Sequence, residues 1–187
     1  MEILVLIKQV PDDSVEVKLD PATGAPNLNG VEAVVNAFDT YALEMAKRYI
    51  EDNGGNVTVA TIGDDDATAA LRTCLAVGAG KAFLIKDASF AGSDTTAKAY
   101  ILSKAVAKIE EINGAKFDII FCGKEATDFS KGMVGVQLAS ELGVGVAVNV
   151  MVLLSPTSYV LPLMVTEPVV ELPPPVLQPV GAPLTAA

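Results

Sequence analysis

Residues 123–134, GKEATDFSKGMV, gather two glycines, two lysines, two acids and a serine between an apolar run, FDIIFC (117–122), and a helix-patterned run, MVGVQLASELG (133–143). A loop that leaves a strand and opens a helix can bind an anion through main-chain donors. With Ser130 as N-cap, Lys131, Gly132 and Met133 become the first helical residues, and their N–H groups have no partner inside the helix. Gly132 would then admit a phosphate closely, and Lys124 and Lys131 would add charge. The plain alternative is an ordinary strand-to-helix connection closed by a capping serine. The pattern is neither a Walker loop nor GxGxxG, so both readings stand at this point.

Such a loop needs a strand to launch it and neighbouring strand ends to wall it. EILVLIK (2–8) is a continuous apolar run, the type buried on both faces of a parallel sheet. Residues 9–35 are a long excursion in which VEVKL alternates and DPATGAPN carries turn chemistry, predicting a small hairpin. NAFDTYALEMAKRYIEDNGG (36–55) reads as a helix with Asn36 as N-cap, Asp39 three residues on, and Ala42, Leu43, Ala46, Tyr49 and Ile50 on one face. NVTVATIG (56–63), KAFLIKD (81–87), FDIIFC (117–122) and VGVAVNVMVLL (144–154) complete the predicted strands. DDDATAALRTCLAVGAG, with acids in its first turn, and TTAKAYILSKAVAKIEEIN, opened by Ser93 and Asp94, supply further helices. Strand and helix alternating at this interval imply parallel strands with right-handed crossovers. The fold class expected is α/β: an open, doubly wound parallel sheet with helices on both faces, a three-layer α/β/α arrangement.

In such sheets ligands collect outside the carboxyl ends of the strands, where strand order reverses. Leu6 to Lys8 end the first strand, Ile62 and Gly63 end the second, and Asn36 opens the first helix. Lys8 reads equally as a solvated charge or an anion contact. Arg72 reads as a surface or interface cation, and Tyr41 and Tyr49 as core residues.

The whole chain limits the chemistry. Its 187 residues contain no histidine, which removes Ser-His-Asp and Cys-His nucleophile systems, most zinc sites and a histidine base. A net charge of −10 argues against nucleic acid and anionic membrane surfaces as partners. Cys74 and Cys122 sit in apolar runs and read as free thiols of a reduced compartment. No signal peptide or membrane span is visible, so a cytoplasmic protein is expected. The end of the chain differs from the rest. No lysine or arginine follows Lys131, and eight of the eleven prolines lie beyond residue 150. The expected organisation is an α/β domain over 1–150, followed by an apolar, proline-rich edge strand or arm over 151–187 that covers a sheet edge or another subunit.

Four segments carry a family resemblance: ILVLIKQVPD, NAFDTYALEMA, ALRTCLAVGAGKAFLI and DIIFCGKEATDFSKGMVGVQLASELG. In order and without large gaps over roughly residues 1–148, the chain resembles the β subunit of electron transfer flavoproteins. That resemblance implies a heterodimer with an α subunit, in which the β subunit holds an adenine nucleotide: AMP in ordinary members, FAD in electron-bifurcating ones. It implies electron passage between NADH or an acyl-CoA dehydrogenase and the FAD of the α subunit, and in bifurcating members to ferredoxin or flavodoxin. The nucleotide contacts it implies fall on Leu6, on Asn36, Ala37, Phe38 and Asp39, on Ile62, and on Gly123, Lys124, Glu125, Ala126, Thr127, Asp128, Phe129, Ser130, Lys131, Gly132, Met133 and Val134. Lys8 joins them as the candidate anion contact.

The chain departs from the family pattern at Glu125, Thr127, Phe129, Ser130, Lys131, Met133 and Val136, which leaves the choice between AMP and FAD open. Alanine stands at residue 37 where proline is usual. The family's basic segment that docks the dehydrogenase is not matched by any residues here, and a truncated or atypical end of the chain is expected from that. The general look of the sequence favours FAD. Side-chain catalysis is not expected, because the isoalloxazine would carry the redox chemistry. A reading of a different class is a stand-alone ATP-binding regulatory module of the stress-protein type. A hydrolase on the same scaffold lacks a histidine and a G-x-S-x-G elbow.

Overall fold

Ile3, Leu4, Val5 and Leu6 are apolar without alternation, and a strand of that composition must be covered on both sides. In the computed structural model, which describes residues 1–147, they form the inner strand β1 (Glu2–Leu6). The excursion after it contains β2 (Gln9–Pro11), β3 (Lys18–Leu19), β4 (Pro26–Asn27) and β5 (Ala33–Val35). Then follow α1 (Ala37–Asn53), β6 (Asn56–Ile62), α2 (Thr68–Val77), β7 (Lys81–Ile85), α3 (Thr95–Asn113), β8 (Ile119–Cys122) and α4 (Val134–Leu142).

Four strands form a parallel sheet in the order β7-β6-β1-β8. Ile3 stands opposite Val57 on one side and Ile119 on the other, which fixes the register. The crossovers through α1 and α2 step outward from β1, whereas the one through α3 carries the chain back to the opposite side of β1. Strand order therefore reverses between β1 and β8. Helices cover both faces, as the strand–helix alternation predicts.

The pleat of β1 divides the core. Ile3 and Val5 pack with Ala42, Leu43, Ala46, Leu71 and Cys74 from α1 and α2. Leu4 and Leu6 pack with Ala99, Leu102, Val106 and Leu138 from α3 and α4. Burying each of these large aliphatic side chains stabilises the fold by roughly 1.5–3 kcal/mol. A slip of one residue would exchange the two faces, so the register is firmly set.

The predicted hairpin is present as β3 paired antiparallel with β4, and its turn is closed by Asp20, whose carboxylate accepts from Ala22 N at 2.7 Å. A second antiparallel ribbon at its base, β2 with β5, was not legible in the sequence, since each strand is only three residues long. Helix α3 begins as expected at Asp94, which accepts from Ala97 N at 2.8 Å, and ends at left-handed Gly114. The acids expected in the first turn of α2 lie instead on and just before a separate 3-10 turn, Asp65–Ala67. Tyr41, expected in the core, is 61% exposed, because it lies on the side of α1 away from the buried stripe of Asp39, Ala42, Leu43 and Ala46. Tyr49 packs on the core, partly buried.

Residues 144–147 are irregular, and the remainder of the expected fifth strand lies outside the described residues, as do the 151–187 arm and the domain boundary at 150. Among the described residues no helix is long and apolar enough to cross a membrane.

Candidate functional site

At the carboxyl ends of β1, β6 and β8 a cavity of about 450 Å³ opens, within the ~300–1,000 Å³ typical of small-molecule sites. It lies at the switch point between β1 and β8, where open α/β sheets place their ligands. Leu6, Ile7 and Ile62 form apolar wall, and the loop after β8 forms much of the rim. Of the residues expected from sequence, Leu6, Lys8, Asn36, Asp39, Ile62, Gly123, Lys124, Glu125, Ala126, Phe129, Lys131, Gly132, Met133 and Val134 line it. Ala37, Phe38, Thr127, Asp128 and Ser130 lie beside it without lining it.

The start of α1 builds the rim from behind. Asn36 occupies the N-cap position but makes no side-chain cap bond. Its Nδ2 donates to Glu125 O at 2.8 Å, and its Oδ1 accepts from Thr127 N at 3.2 Å. Asp39 accepts from Lys8 N at 2.7 Å and from Gly123 N at 2.9 Å, joining the ends of β1 and β8. Gly123 cannot carry a side chain there: an added Cβ would lie 2.3 Å from Asp39 Oδ1 and 2.8 Å from Phe38 Cβ. Phe38 is therefore backing for the loop.

Burial pushes the Asp39 carboxyl up to about 6, with the Asn36 side chain, the Lys8 and Gly123 N–H groups and the Lys8 charge pulling it down. Burial likewise pushes the Cys122 thiol up to about 12 and the Cys74 thiol up to about 11, with Asp39 adding to both. Neither thiol is a nucleophile near neutral pH. The two are free, Cys74 buried and Cys122 partly so.

Lys8 is neither a freely solvated charge nor an unengaged anion contact. Its Nζ donates to Asp128 Oδ1 at 2.7 Å and stands 5.1 Å from the centre of the Phe129 ring. This pair is partly exposed and contributes modestly, on the order of 0–1 kcal/mol.

The expected helix start is displaced. Helix α4 begins at Val134 with Met133 as N-cap, so Ser130 is not the cap and Lys131, Gly132 and Met133 are not helical. Ser130 has φ +45° and Gly132 φ +60°, and two left-handed residues in three interrupt a right-handed helix. Ser130 N instead donates to Ala126 O at 2.8 Å, closing a turn within the loop. Glycine at 132 answers a conformational need: an added Cβ would come no nearer than 3.5 Å to Lys124 O. The helix-start donors are thus those of Val134, Gly135 and Val136, for which no acceptor occurs among the described residues.

Charge at the mouth runs against that of the chain. Four lysines (Lys8, Lys98, Lys124, Lys131) and three acids (Asp39, Asp94, Glu125) line the cavity, whereas the chain has 13 basic and 23 acidic residues. Lys98 and Thr95, on the first turn of α3, were missed by sequence reasoning, as were Ser93, Asp94, Leu102, Cys122 and Gly135, whereas Ile7 lies in the predicted strand end Leu6 to Lys8. The signal available for the α3 group was its N-cap, Asp94, on a helix following a strand of the same sheet. Among the described residues no cluster of three or more His, Cys, Asp or Glu could hold a metal.

The electron transfer flavoprotein domain family matches residues 27–171. The chain is 46% identical over 144 residues to the electron transfer flavoprotein subunit beta of Thermoanaerobacterium thermosaccharolyticum, covering 77% of this chain and 53% of that protein. It is 44% identical over 143 residues to protein FixA of Azorhizobium caulinodans, covering 76% and 50%. It is 40% identical over 143 residues to the caffeyl-CoA reductase-Etf complex subunit CarD of Acetobacterium woodii, covering 76% and 52%. The chain spans about half the length of the relatives it matches.

Proposed function

The chain belongs to the electron transfer flavoprotein domain family, and from that premise we propose that it is the β subunit of a heterodimeric electron transfer flavoprotein, holding an adenine nucleotide in the switch-point cavity. The single observation that carries the reading is the free main-chain N–H groups at the start of α4, facing a cavity rimmed by lysines in an otherwise acidic protein. Donors of that kind, with a positive helix end behind them, suit a phosphate.

FAD is the nucleotide we favour, and AMP is the alternative. The residues present fit either through their shared adenylate portion. Val134 and Gly135 would hold a phosphate by their N–H groups, with Lys131 and Lys98 adding charge. Leu6, Ile7 and Ile62 would supply the apolar wall for the adenosine. A bound isoalloxazine would supply the redox chemistry. The side chains would bind, orient and exclude water, and none is placed to act as a nucleophile, the two thiols being held neutral.

In this reading the partner is an electron transfer flavoprotein α subunit. Electrons pass between NADH or an acyl-CoA dehydrogenase and the α-subunit FAD, with bifurcation to ferredoxin or flavodoxin as the finer form. The name of the relative from A. woodii, a subunit of a reductase-Etf complex, favours that finer form. Copurification of this chain with its α subunit, followed by denaturation and counting of released nucleotide, tests the proposal. Two FAD per heterodimer supports bifurcation, and one FAD with one AMP supports the ordinary carrier. A monomer that binds ATP without flavin would favour the regulatory-module reading, and a heterodimer without nucleotide in this subunit would end ours.

A further inference from the structure

We propose that Asn36 and Asp39 are positioning residues: from the start of α1 they hold the main chain of the β8 loop in its ligand-binding shape, without themselves contacting a phosphate. The proposal rests on the nucleotide reading above and assigns a different role to two residues that the family resemblance places among the direct contacts.

An asparagine at an N-cap ordinarily bonds the N–H groups of its own helix. Asn36 gives up that bond and spans the loop instead, through Glu125 O and Thr127 N. Its own N–H donates to Lys8 O at 2.9 Å, so the start of α1 is fixed to the end of β1. Asp39 uses one carboxylate oxygen on each side of the switch point, Lys8 N on β1's exit and Gly123 N on β8's exit. Both residues are nearly fully buried, 1% and 5% exposed, and buried polar groups hold their partners firmly. Four main-chain groups are held by two side chains, and three of the four belong to residues 123–127. Gly123 completes the arrangement, since any side chain there would displace the Asp39 carboxylate.

The arrangement has a proton-dependent element. A carboxylate accepts at both oxygens, while a protonated carboxyl turns one of them into a donor. Around Asp39 the ionisable groups are Lys8 just beyond β1, Cys122 from β8 and Cys74 from α2, and both thiols stay neutral. As pH falls through the Asp39 transition near 6, one of its two N–H partners loses its acceptor and the loop loosens.

The test uses the full chain and two readouts. Amide hydrogen exchange, without nucleotide, is measured at Gly123 and Thr127 in the loop and at Val5 and Val59 in the sheet. Asp39→Asn should accelerate exchange at the loop amides by roughly tenfold or more, the equivalent of one lost charge-assisted bond, and leave the sheet amides protected. Gly123→Ala, which disturbs the same contact from the loop side, should do likewise if the Asp39 variant folds poorly. Titration with ADP as probe should show weaker binding by Asp39→Asn than by the native chain above about pH 6, with the gap between them closing as pH drops through about 6, while the titration of the ADP phosphate itself acts on both alike. Unchanged loop exchange in both variants would overturn the proposal, and so would a loosened loop with ADP affinity unaltered. Absence of ADP binding by the native chain would sink the nucleotide reading alone, and the exchange data would still decide whether these side chains hold the loop.

Discussion

Two segments leave the switch point from adjacent strands, and the fold treats them in opposite ways. The excursion 9–35 leaves β1, and the loop 123–133 leaves β8. The excursion closes on itself: β2 pairs with β5, β3 with β4, and Asp20 and Asp12 make their turn bonds within it. The loop has one internal turn bond, Ala126 O with Ser130 N, and otherwise depends on side chains from elsewhere. Asn36 and Asp39 reach it across 84 to 91 residues of sequence, and Lys8 across 120. The excursion is exposed at Val15, Leu19 and Leu28, whereas the polar groups that hold the loop are buried. The outer hairpin of the excursion, β3 with β4, can change with little consequence for the sheet, whereas its base is tied in by the buried Val10 and by Val35 against the core. A loop held by the core inherits the rigidity of the core, which a binding site needs.

The two regions should separate most clearly by pH. Asp39 is held about two units above its ordinary 3.8, near 6, equivalent to about 3 kcal/mol between its two protonation states. Because the folded state binds this proton more tightly than the unfolded chain, the Asp39 contribution falls as pH rises from about 4 to about 6, then stays level. Comparing urea unfolding of the native chain with Asp39→Asn between about pH 4 and pH 8 isolates that term, and a constant difference would refute it. On the ribbon, Asp12 is displaced the other way, lowered by its bonds from Ser14, but it lies at the surface and should leave no comparable signature.

Gly123→Ala comes next in size. The forced contact with Asp39 and Phe38 should destabilise the chain by about 1–3 kcal/mol in thermal unfolding. Lys131→Glu should then weaken nucleotide retention several-fold at low salt and less at high salt, with stability unchanged, since Lys131 is exposed on the rim. Equal retention in both salts would mean that the loop is a connector. Lys8→Met should cost about 0–1 kcal/mol, as befits a partly exposed pair. Smallest of all, Leu19→Ser with Leu28→Ser on the ribbon should shift unfolding by within about 0.5 kcal/mol and leave ADP binding alone. A larger change would erase the contrast drawn between the two regions.

Much of this was legible in the amino-acid order. Largely apolar runs at 3–7, 57–60 and 119–122 mark strands covered on both faces, Thr58 being the one polar side chain among them and itself buried. The interval between them carries the helices, and Asp94, Gly54 and Gly114 mark helix ends by local rules. The same order pointed to the loop after β8 as the site. It did not tell where α4 begins, since the left-handed backbone of Ser130 is a result of the loop's fastening and not of serine's preference. Nor could it separate residues that line the cavity from those that hold it. Asn36 looks like a capping residue until its amide is seen to reach Glu125 and Thr127, and Asp39 looks like a first-turn acid until it is found buried.

Sequence alone determined the parallel sheet, its two apolar faces and the neighbourhood of the cavity, because periodicity and composition act over a few residues at a time. Tertiary structure decided the roles within that neighbourhood. The bonds of Asn36 and Asp39 join segments more than eighty residues apart, and a distance of that kind becomes short only after the sheet has closed between them.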